Sequence, residues 1–295
     1  MSSTQYVQPM APRAWGFTPE QLAEQPTVYA PGLLAGRTLL VSGGGSGMGR
    51  ATAFLAARLG ANVIICGRDA DKLQRASTDA QRLLGKSFEC HAMTIRDAER
   101  VDRLMDELFE RHGQIDALVN SAGGQFPQNA IDFSVKGWLA VVDTNLNGTW
   151  YMMQAAARRW RDRKQAGSVV NIIANYKRGI PQSAHTAAAR AGVAYLSKSV
   201  AVEWAPLDIR VNCIAPGTIE TEGLNQYPPE TIERGGKGNP LRRRGDVWDI
   251  AEAVIYLCAA SGKFITGEVL QVDGGMQCWG TNWPLGVPEQ FRVDG

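Results

Sequence analysis

Apolar and polar positions along the chain fall into alternating blocks from about residue 37 onward. Short apolar runs are separated by longer stretches in which the apolar positions have helical spacing. Strands that alternate with helices in this way are typical of βαβ units in a parallel sheet. The pattern predicts the α/β class, with a single doubly wound domain, a seven-stranded parallel sheet and helices on both faces. The predicted strands cover residues 38–41, 62–66, 88–93, 117–120, 168–173, 210–214 and 268–272, and the third is the weakest candidate.

Three segments stand apart from this alternation. Residues 1–36 contain five prolines and little periodicity, so we expect an arm outside the core fold, with a short helix beginning at Thr18-Pro19-Glu20. Residues 37–276 form the predicted domain, and residues 277–295 form a tail. Within the domain, residues 218–245 are rich in glycine and proline and poor in apolar residues, which is typical of a mobile lid over a substrate.

Two helical stretches, 138–160 and 187–206, are apolar on nearly every face. A helix that is apolar all round must be covered on both sides. Burial against the sheet alone is one explanation of this pattern. The other is that both helices also form a subunit interface, and we expect a homo-oligomer, with a tetramer as the predicted form.

Composition narrows the class of partner. The chain has 31 basic and 29 acidic side chains and a formal charge of +2, without a block of like charges, so we expect a small-molecule substrate and neither nucleic acid nor membrane. Its five cysteines include no CxxC pair, which argues against a metal site and against a disulfide framework. The start of the chain lacks a signal-peptide pattern and no run reaches 18 apolar residues, so a cytoplasmic location is expected.

A glycine-rich turn joins the first predicted strand directly to an alanine-rich helix over 51–59. Glycine lets the backbone approach a pyrophosphate, and the N-terminus of the helix offers unpaired N–H groups to the anion. A glycine-rich stretch alone fits a flexible loop, but a strand before it and a helix after it favour a dinucleotide site of the Rossmann type. The spacing makes Gly43, Gly47 and Gly49 the important glycines, and the other predicted contacts of the turn are Ser42, Gly45, Ser46 and Met48.

The end of the second strand bears on the choice between the two nicotinamide cofactors. An acidic residue there binds the ribose hydroxyls of NAD(H), whereas this chain has Gly67 followed by Arg68. A guanidinium can bind a 2′-phosphate through two hydrogen bonds, which favours NADP(H). In the alternative, Arg68 is a solvated side chain and Asp69 or Asp71 serves NAD(H).

Several motifs then follow one another in order between about residues 36 and 275. They are Gly43-xxx-Gly47-x-Gly49, Asn120-Ser121-Ala122-Gly123, Asn145, Pro216-Gly217, and the closing Ile265-Thr266-Gly267 to Asp273-Gly274-Gly275. Together they resemble the short-chain dehydrogenase/reductase family, and motifs in a fixed order are far more specific than any one alone.

The resemblance implies a set of further cofactor contacts. Asn120 would brace the central sheet beside the cofactor, while Pro216, Gly217 and Thr221 would lie near the nicotinamide. Thr94 stands where many relatives have an aspartate at the adenine. The remaining residues of the set are Ile95, Ala122, Gly123, Arg190 and Ile219.

The chain departs from this family at its catalytic positions. Ordinary members carry a serine after the fifth strand, a tyrosine, and a lysine four residues beyond that tyrosine. Those places hold Ala174, Thr186 and Arg190 here. A threonine hydroxyl is too weak an acid to relay a proton near neutral pH, and an arginine stays protonated. Thr186 and Arg190 lie at i and i+4 and share one helix face, where Arg190 can hold the ribose and supply positive charge.

Within the family, this loss resembles the enoyl-CoA reductase branch. Residues 118–126, 136–138, 144–149 and 185–193 resemble trans-2-enoyl-CoA reductases and, more loosely, 2,4-dienoyl-CoA reductases. The resemblance implies catalytic roles for Tyr176 and Asn147, beside Asn145. Hydride delivery to an enoyl thioester makes an enolate that needs hydrogen-bond donors, and Asn147, Tyr176 and Thr186 are the predicted ones.

Each of these assignments has an alternative. Tyr176 is the predicted proton donor to the α-carbon, but it also fits an exposed loop tyrosine. His185 is a second possible donor, although a histidine at a helix start is more often a cap or a loop residue. The basic side chains of the lid, such as Arg243 and Arg244, fit either the phosphates of a coenzyme A or a solvated loop.

Two other functions stay open. Residues 29–36 and the tryptophan-rich stretch 279–284 resemble bacterial citronellol/citronellal dehydrogenases, which implies a terpenoid substrate and the oxidation of an alcohol or aldehyde. The missing acid–base tyrosine is hard to reconcile with that reaction. A cofactor-binding protein without turnover is the third hypothesis, because three catalytic places are changed.

Overall fold

A seven-stranded sheet forms the centre of the molecule. The computed structural model describes residues 15–278 and residue 289. The strands are β1 Thr38–Ser42, β2 Asn62–Gly67, β3 Glu89–Ala92, β4 Ala117–Asn120, β5 Gly167–Ile172, β6 Ile209–Pro216 and β7 Val269–Val272. All neighbours pair in parallel, in the order β3-β2-β1-β4-β5-β6-β7. The predicted seven-stranded doubly wound sheet is therefore confirmed, including its weakest strand.

Helices cover both faces of the sheet. They are α1 Pro19–Glu24, α2 Gly47–Arg58, α3 Ala70–Leu84, α4 Ala98–His112, α5 Val135–Val142, α6 Thr149–Arg163, α7 Ala184–Trp204, α8 Pro229–Lys237 and α9 Val247–Cys258. Residues of α2, α3 and α9 share one buried apolar cluster, and residues of α4, α6 and α7 share another. The central strands are buried on both sides, which explains why they appear in the sequence as continuous apolar runs rather than alternating ones. No helix in the described part of the chain is long and apolar enough to span a membrane.

The described part of the N-terminal arm packs on the domain. Helix α1 begins at Thr18 with a capping box, as its sequence predicts. Leu22 and Leu34 are buried in the cluster of α2 and α9, so the expectation that the arm lies outside the core was wrong for these residues. Hydrogen bonds fix the arm further, since Trp248 Nε1 donates to the Pro26 carbonyl at 2.9 Å and the Tyr29 hydroxyl donates to the Glu252 carbonyl at 2.7 Å. The predicted tail lies outside the described residues from 279 onward, apart from residue 289.

The order of the strands also fixes where a ligand can bind. From β1 the chain proceeds outward to β2 and β3 and then returns to β4 on the other side of β1. In open α/β sheets, a crevice opens at the carboxyl ends of the two strands where the order reverses. A ligand is therefore expected at the carboxyl ends of β1 and β4.

Candidate active site

The glycine turn after β1 forms a tight backbone cradle. A Cβ atom on Gly43, whose φ is +75°, would lie 2.7 Å from the backbone nitrogen of Ala122. A Cβ atom on Gly49 would lie 2.3 Å from the carbonyl oxygen of Gly43. Helix α2 begins at Gly47, and the side chain of its N-cap, Ser46, makes no capping hydrogen bond. The turn is thus shaped so that only glycine fits, and the first N–H groups of α2 have no side-chain cap.

This turn lies at the floor of a cleft of about 410 Å³. Most of the predicted cofactor residues line it: Gly43, Gly45, Ser46, Gly47, Met48, Arg68, Thr94, Ile95, Ala122, Gly123 and Thr221. Ser42, Gly49, Asn120, Arg190 and Pro216 stand outside this lining, and Gly217 and Ile219 line a second cavity of about 210 Å³ instead. The cleft is also lined by Gly67, Asp69 and Ser121, which the sequence analysis named outside the main contact set. Sequence reasoning missed the remaining residues of the lining, Lys72, Leu73, Met93, Thr144, Glu222 and Gly223.

The three charged residues that follow β2 differ in their contacts and in whether they line the cleft. Arg68 is exposed and lines the cleft. Asp69 also lines it, but its carboxylate caps α3 by accepting the Lys72 N–H at 3.0 Å. Asp71 lies in the first turn of α3 and does not line the cleft. The guanidinium of Arg68 is therefore the group at this wall without an assigned structural role.

A chain of buried amides connects the cleft to the interior of the sheet. Asn120, at the end of β4, donates from Nδ2 to Asn171 Oδ1 at 2.8 Å, and Asn171 Nδ2 donates to Ser197 Oγ at 2.9 Å. The Ser42 hydroxyl donates to Asn120 Oδ1 at 3.4 Å. Because these groups are buried and paired, they fix β1, β4, β5 and α7 relative to one another. The contacts of Asn120 agree with the bracing role that the family resemblance implies.

Asn145 fastens the loop that follows β4. It lies on a π-helical turn, Asp143–Gly148, between α5 and α6. Its side chain accepts the Gly124 N–H at 3.0 Å and donates to the Gly124 carbonyl at 3.0 Å. One-turn π-helices often occur at functional sites. This one brings the Asn145 side chain to the backbone of Gly124 in the loop after β4. Both ends of this amide are engaged, which makes Asn145 a positioning residue.

Arg190 is a buried positive charge beside the same loop. Only 7% of the residue is exposed, and its guanidinium donates to the Ala122 carbonyl at 3.4 Å and the Asn145 carbonyl at 3.5 Å. Burial lowers the pKa of Arg190 to about 10, so it remains protonated near neutral pH. Among the described residues, no carboxylate forms an ion pair with it. A Cβ atom on Gly123 would lie 2.1 Å from its Nη2, so glycine is required for this approach.

Thr186 and His185 are buried at the start of α7. Thr186 is 3% exposed, and its hydroxyl makes no hydrogen bond to any described residue. The His185 ring stacks on Phe133 with centroids 4.4 Å apart and meets the edge of Phe126 at 4.6 Å. Burial lowers the pKa of His185, and its Nδ1 accepts the Thr186 N–H at 2.8 Å. His185 is therefore a buried, neutral residue of an aromatic cluster that also caps an N–H of the first turn of α7, rather than a loop residue or an exposed proton donor.

The other two predicted enolate donors, Tyr176 and Asn147, line neither of the two cavities. Tyr176 is half-buried and packs with Leu146 against Ile173 and Val193, so the alternative of an exposed loop tyrosine was wrong. Its hydroxyl makes no hydrogen bond within the described part of the chain. Asn147 donates from Nδ2 to Asp143 Oδ1 at 2.9 Å. Within the described residues, no hydrogen bond joins Asn147, Tyr176 and Thr186 to one another, which leaves the two hydroxyls free to meet a ligand.

The predicted lid contains a short helix, Glu222–Gln226, and α8, and is tied to the core at several points. Gln125 Nε2 donates to the Tyr227 hydroxyl, and Lys72 forms an ion pair with Glu222 at 2.8 Å. Two of the basic residues that were considered for coenzyme A have carboxylate partners within the protein. Arg244 pairs with Glu220 at 2.8 Å and lies 5.2 Å from the Trp15 ring, while Arg243 pairs with Asp249 at 3.1 Å.

Comparisons with known proteins agree with this architecture. A family model described as enoyl-(acyl carrier protein) reductase matches residues 43–277. A probable 2,4-dienoyl-CoA reductase of Bacillus subtilis (strain 168) is 36% identical over 254 residues, covering 84% of this chain and 99% of its own. A peroxisomal 2,4-dienoyl-CoA reductase of Danio rerio is 31% identical, covering 88% and 87%. Among solved structures, a citronellol catabolism dehydrogenase of Pseudomonas aeruginosa PAO1 is 34% identical with a TM-score of 0.76, covering 85% and 98%.

Proposed function

The chain belongs to the short-chain dehydrogenase/reductase family, and we propose that it reduces the C2=C3 double bond of an enoyl-CoA with NADP(H). The observation that carries this proposal is the composition of the α7 face, where Thr186 and the buried, protonated Arg190 replace an acid–base pair. A threonine and an arginine offer hydrogen bonds and positive charge but do not exchange protons near neutral pH. Such a face suits a reaction that develops an oxyanion.

The bound nicotinamide would supply a hydride to the β-carbon of the thioester. Electrons then move to the thioester oxygen, and the resulting enolate needs hydrogen-bond donors. Thr186 and Tyr176 have hydroxyls without another partner in the described structure, and Asn147 is the third donor. Arg190 lies outside the lining of the cleft and adds a fixed positive charge against the carbonyl of Ala122, which lines it. The α-carbon still needs a proton, which we assign to Tyr176, with Lys177 and Arg178 following it in the chain.

Replacing Tyr176 with phenylalanine tests the proton transfer. The hydride step and the other enolate donors remain, so we expect kcat for crotonyl-CoA to fall about 100-fold while the Kd of NADPH stays unchanged. Stopped flow and cofactor fluorescence measure the two quantities. Tyr256→Phe, at a position 42% exposed on α9, is the matched control and should have wild-type kinetics. An unchanged kcat in Tyr176→Phe would remove Tyr176 from the mechanism.

We assign the preference for NADP(H) to Arg68. The guanidinium lines the cofactor cleft directly after β2, while the carboxylate of Asp69 is used in capping α3. The glycine cradle and the uncapped start of α2 fit the pyrophosphate that both nicotinamide cofactors share. Arg68 therefore distinguishes the cofactors by their 2′ group.

The substitution Arg68→Gln should raise the Kd of NADPH roughly 10- to 100-fold and hardly change that of NADH. Hydrogen bonds to a charged group contribute about 1.5–3 kcal/mol, which corresponds to that range. Arg75→Gln is the control, because Arg75 is exposed on α3 and does not line the cleft. Equal affinity of the wild-type protein for NADH and NADPH would contradict the assignment.

Oxidation of a terpene alcohol is the second candidate function. The similarity to a citronellol catabolism dehydrogenase favours it. That reaction removes a proton from a hydroxyl group, and the α7 face offers no base for this step near neutral pH. Purified protein should be assayed with NADPH and enoyl-CoAs of increasing length, and with citronellol and NADP⁺ in the other direction. Citronellol oxidation without turnover of any enoyl-CoA would replace the first proposal with the second.

We also propose that the protein is a homo-oligomer, with a tetramer as the expected form. Exposed apolar side chains lie on α5 and α7, two helices that overlap the stretches 138–160 and 187–206 for which a subunit interface was predicted. They include Val135 (76% exposed), Leu139 (46%), Tyr195 (71%) and Val202 (77%). Apolar side chains in this number on adjacent helices are typical of a covered surface.

Changing Val202 to glutamate should lower the oligomeric state, because it places a charge in the proposed interface. Light scattering on chains of 32.0 kDa distinguishes monomer, dimer and tetramer directly. Phe264→Glu, at a fully exposed position outside α5 and α7, is the control. A wild-type protein that runs as a monomer would refute the interface.

A further inference from the structure

An ion pair crosses the mouth of the cofactor cleft and has no counterpart in the sequence motifs. Lys72 Nζ lies 2.8 Å from Glu222 Oε2, although the two residues are 150 positions apart. Lys72 belongs to the first turn of α3, and Glu222 is the first residue of the short helix in the lid. Both line the cleft. Their side chains are 40% and 51% exposed, so the pair is accessible to a solute entering the cleft.

Contacts of Lys72 and Thr221 with the glycine turn place the ion pair next to that turn. A Cβ atom on Gly45 would lie 3.3 Å from the carbonyl carbon of Lys72, so the start of α3 packs directly on the turn. On the opposite wall, a Cβ atom on Gly47 would lie 3.5 Å from the side chain of Thr221, which precedes Glu222. The ion pair therefore joins the two walls of the cleft next to the glycine cradle.

The ion pair of Lys72 and Glu222 must separate before its positive charge can attract an anionic ligand. The hydrogen bond from Lys72 holds the pKa of Glu222 below its ordinary value, so Glu222 is a carboxylate near neutral pH. A carboxylate in a cleft that takes a polyanion repels it. Lys72 cancels that charge while it is paired. When it leaves Glu222, its ammonium group becomes available to the anion.

Resting on the NADP(H) preference proposed above, we propose that Lys72 is a second specificity residue for the 2′-phosphate, and that Glu222 competes with this phosphate for its ammonium group. The position explains the specificity. Lys72 stands four residues after Arg68, beyond the end of β2, where dinucleotide-binding folds receive the adenosine ribose. A lysine there adds a flexible point charge beside the planar guanidinium of Arg68.

The test compares Lys72→Met, Glu222→Gln and Lys72→Arg with the wild-type protein. The readout is the Kd of NADPH and of NADH, measured separately by fluorescence titration without substrate. Lys72→Met should lower the preference for NADPH over NADH about tenfold. Glu222→Gln frees the ammonium group and should raise that preference about threefold, the scale of an exposed ion pair. Lys72→Arg should keep the wild-type preference.

Arg82→Gln is the matched control, because it removes a cation from the other end of the same helix, where Arg82 pairs with Glu20 and Asp79 and does not line the cleft. If Lys72→Met changes both affinities by the same factor, or changes neither, Lys72 does not recognise the 2′-phosphate and the inference is overturned. If the wild-type protein prefers NADPH and Arg68→Gln abolishes that preference while Lys72→Met keeps it, only the role of Lys72 fails. If the wild-type protein shows no preference, the proposed cofactor choice fails as well.

Discussion

Replacing Arg190 with methionine should lower kcat/KM for an enoyl-CoA roughly 100- to 1,000-fold without lowering the melting temperature. A loss of this size is typical when one preorganised contact that stabilises a developing oxyanion is removed. The unchanged or raised stability follows from the surroundings of Arg190. It is a buried cation with two long hydrogen bonds to carbonyl groups and no carboxylate partner among the described residues. Exchanging such a charge for an apolar side chain of similar length removes a desolvation penalty.

The matched control is Arg210→Met. Arg210 is also shielded from solvent, but its guanidinium holds the carbonyl groups of Gly262 and Ile265 at 2.7 and 3.3 Å, far from the glycine turn. Its loss should lower the melting temperature and leave kcat near the wild-type value. Scanning calorimetry and steady-state kinetics separate the two variants. An Arg190→Met protein that melts several degrees lower and retains full activity would mean that Arg190 is a structural residue.

Replacing Gly49 with alanine should abolish detectable cofactor binding. The added Cβ would lie 2.3 Å from the Gly43 carbonyl oxygen, a backbone atom that moves only if the whole turn moves. Displacing the turn shifts the N–H groups that would hold the pyrophosphate, so we expect the Kd of NADPH to rise more than a thousandfold. Because Gly49 is buried in the first turn of α2, the melting temperature should fall as well.

Gly179→Ala provides the control for this substitution. Gly179 is exposed, has no positive φ, and a Cβ atom there would meet nothing within 4 Å. Binding and stability should match the wild-type protein. Calorimetric titration with NADPH, read together with circular dichroism to confirm folding, measures the contrast. Normal affinity in Gly49→Ala would show that the glycine turn is not the phosphate cradle.

The parts of this molecule that the sequence predicts are those encoded locally. Strand runs such as 38–41 show their burial as continuous apolar residues, and the glycine turn shows its role by standing between a strand and a helix. Thr186 and Arg190 can be placed on one helix face because helical spacing fixes them. The seven strands and most residues of the cleft therefore follow from short stretches of chain.

The parts that escaped prediction depend on contacts between distant segments. Leu22 and Leu34 are buried because the arm packs along α2 and α9. No local sequence pattern indicates this contact. Lys72 and Glu222 look like two ordinary surface charges until the fold brings them together. His185 likewise has no local signal for burial, because both aromatic rings that surround it come from the loop after β4.

The most direct test of the account follows the hydride itself. NADPH deuterated at C4 is incubated with crotonyl-CoA and the protein, and the product is analysed by mass spectrometry and NMR. We expect saturated butyryl-CoA with one deuterium at C3, and no label transfer to the product when Arg190→Met replaces the wild-type protein in a short incubation. A protein that leaves crotonyl-CoA and longer enoyl-CoAs unlabelled but oxidises citronellol with NADP⁺ would contradict it.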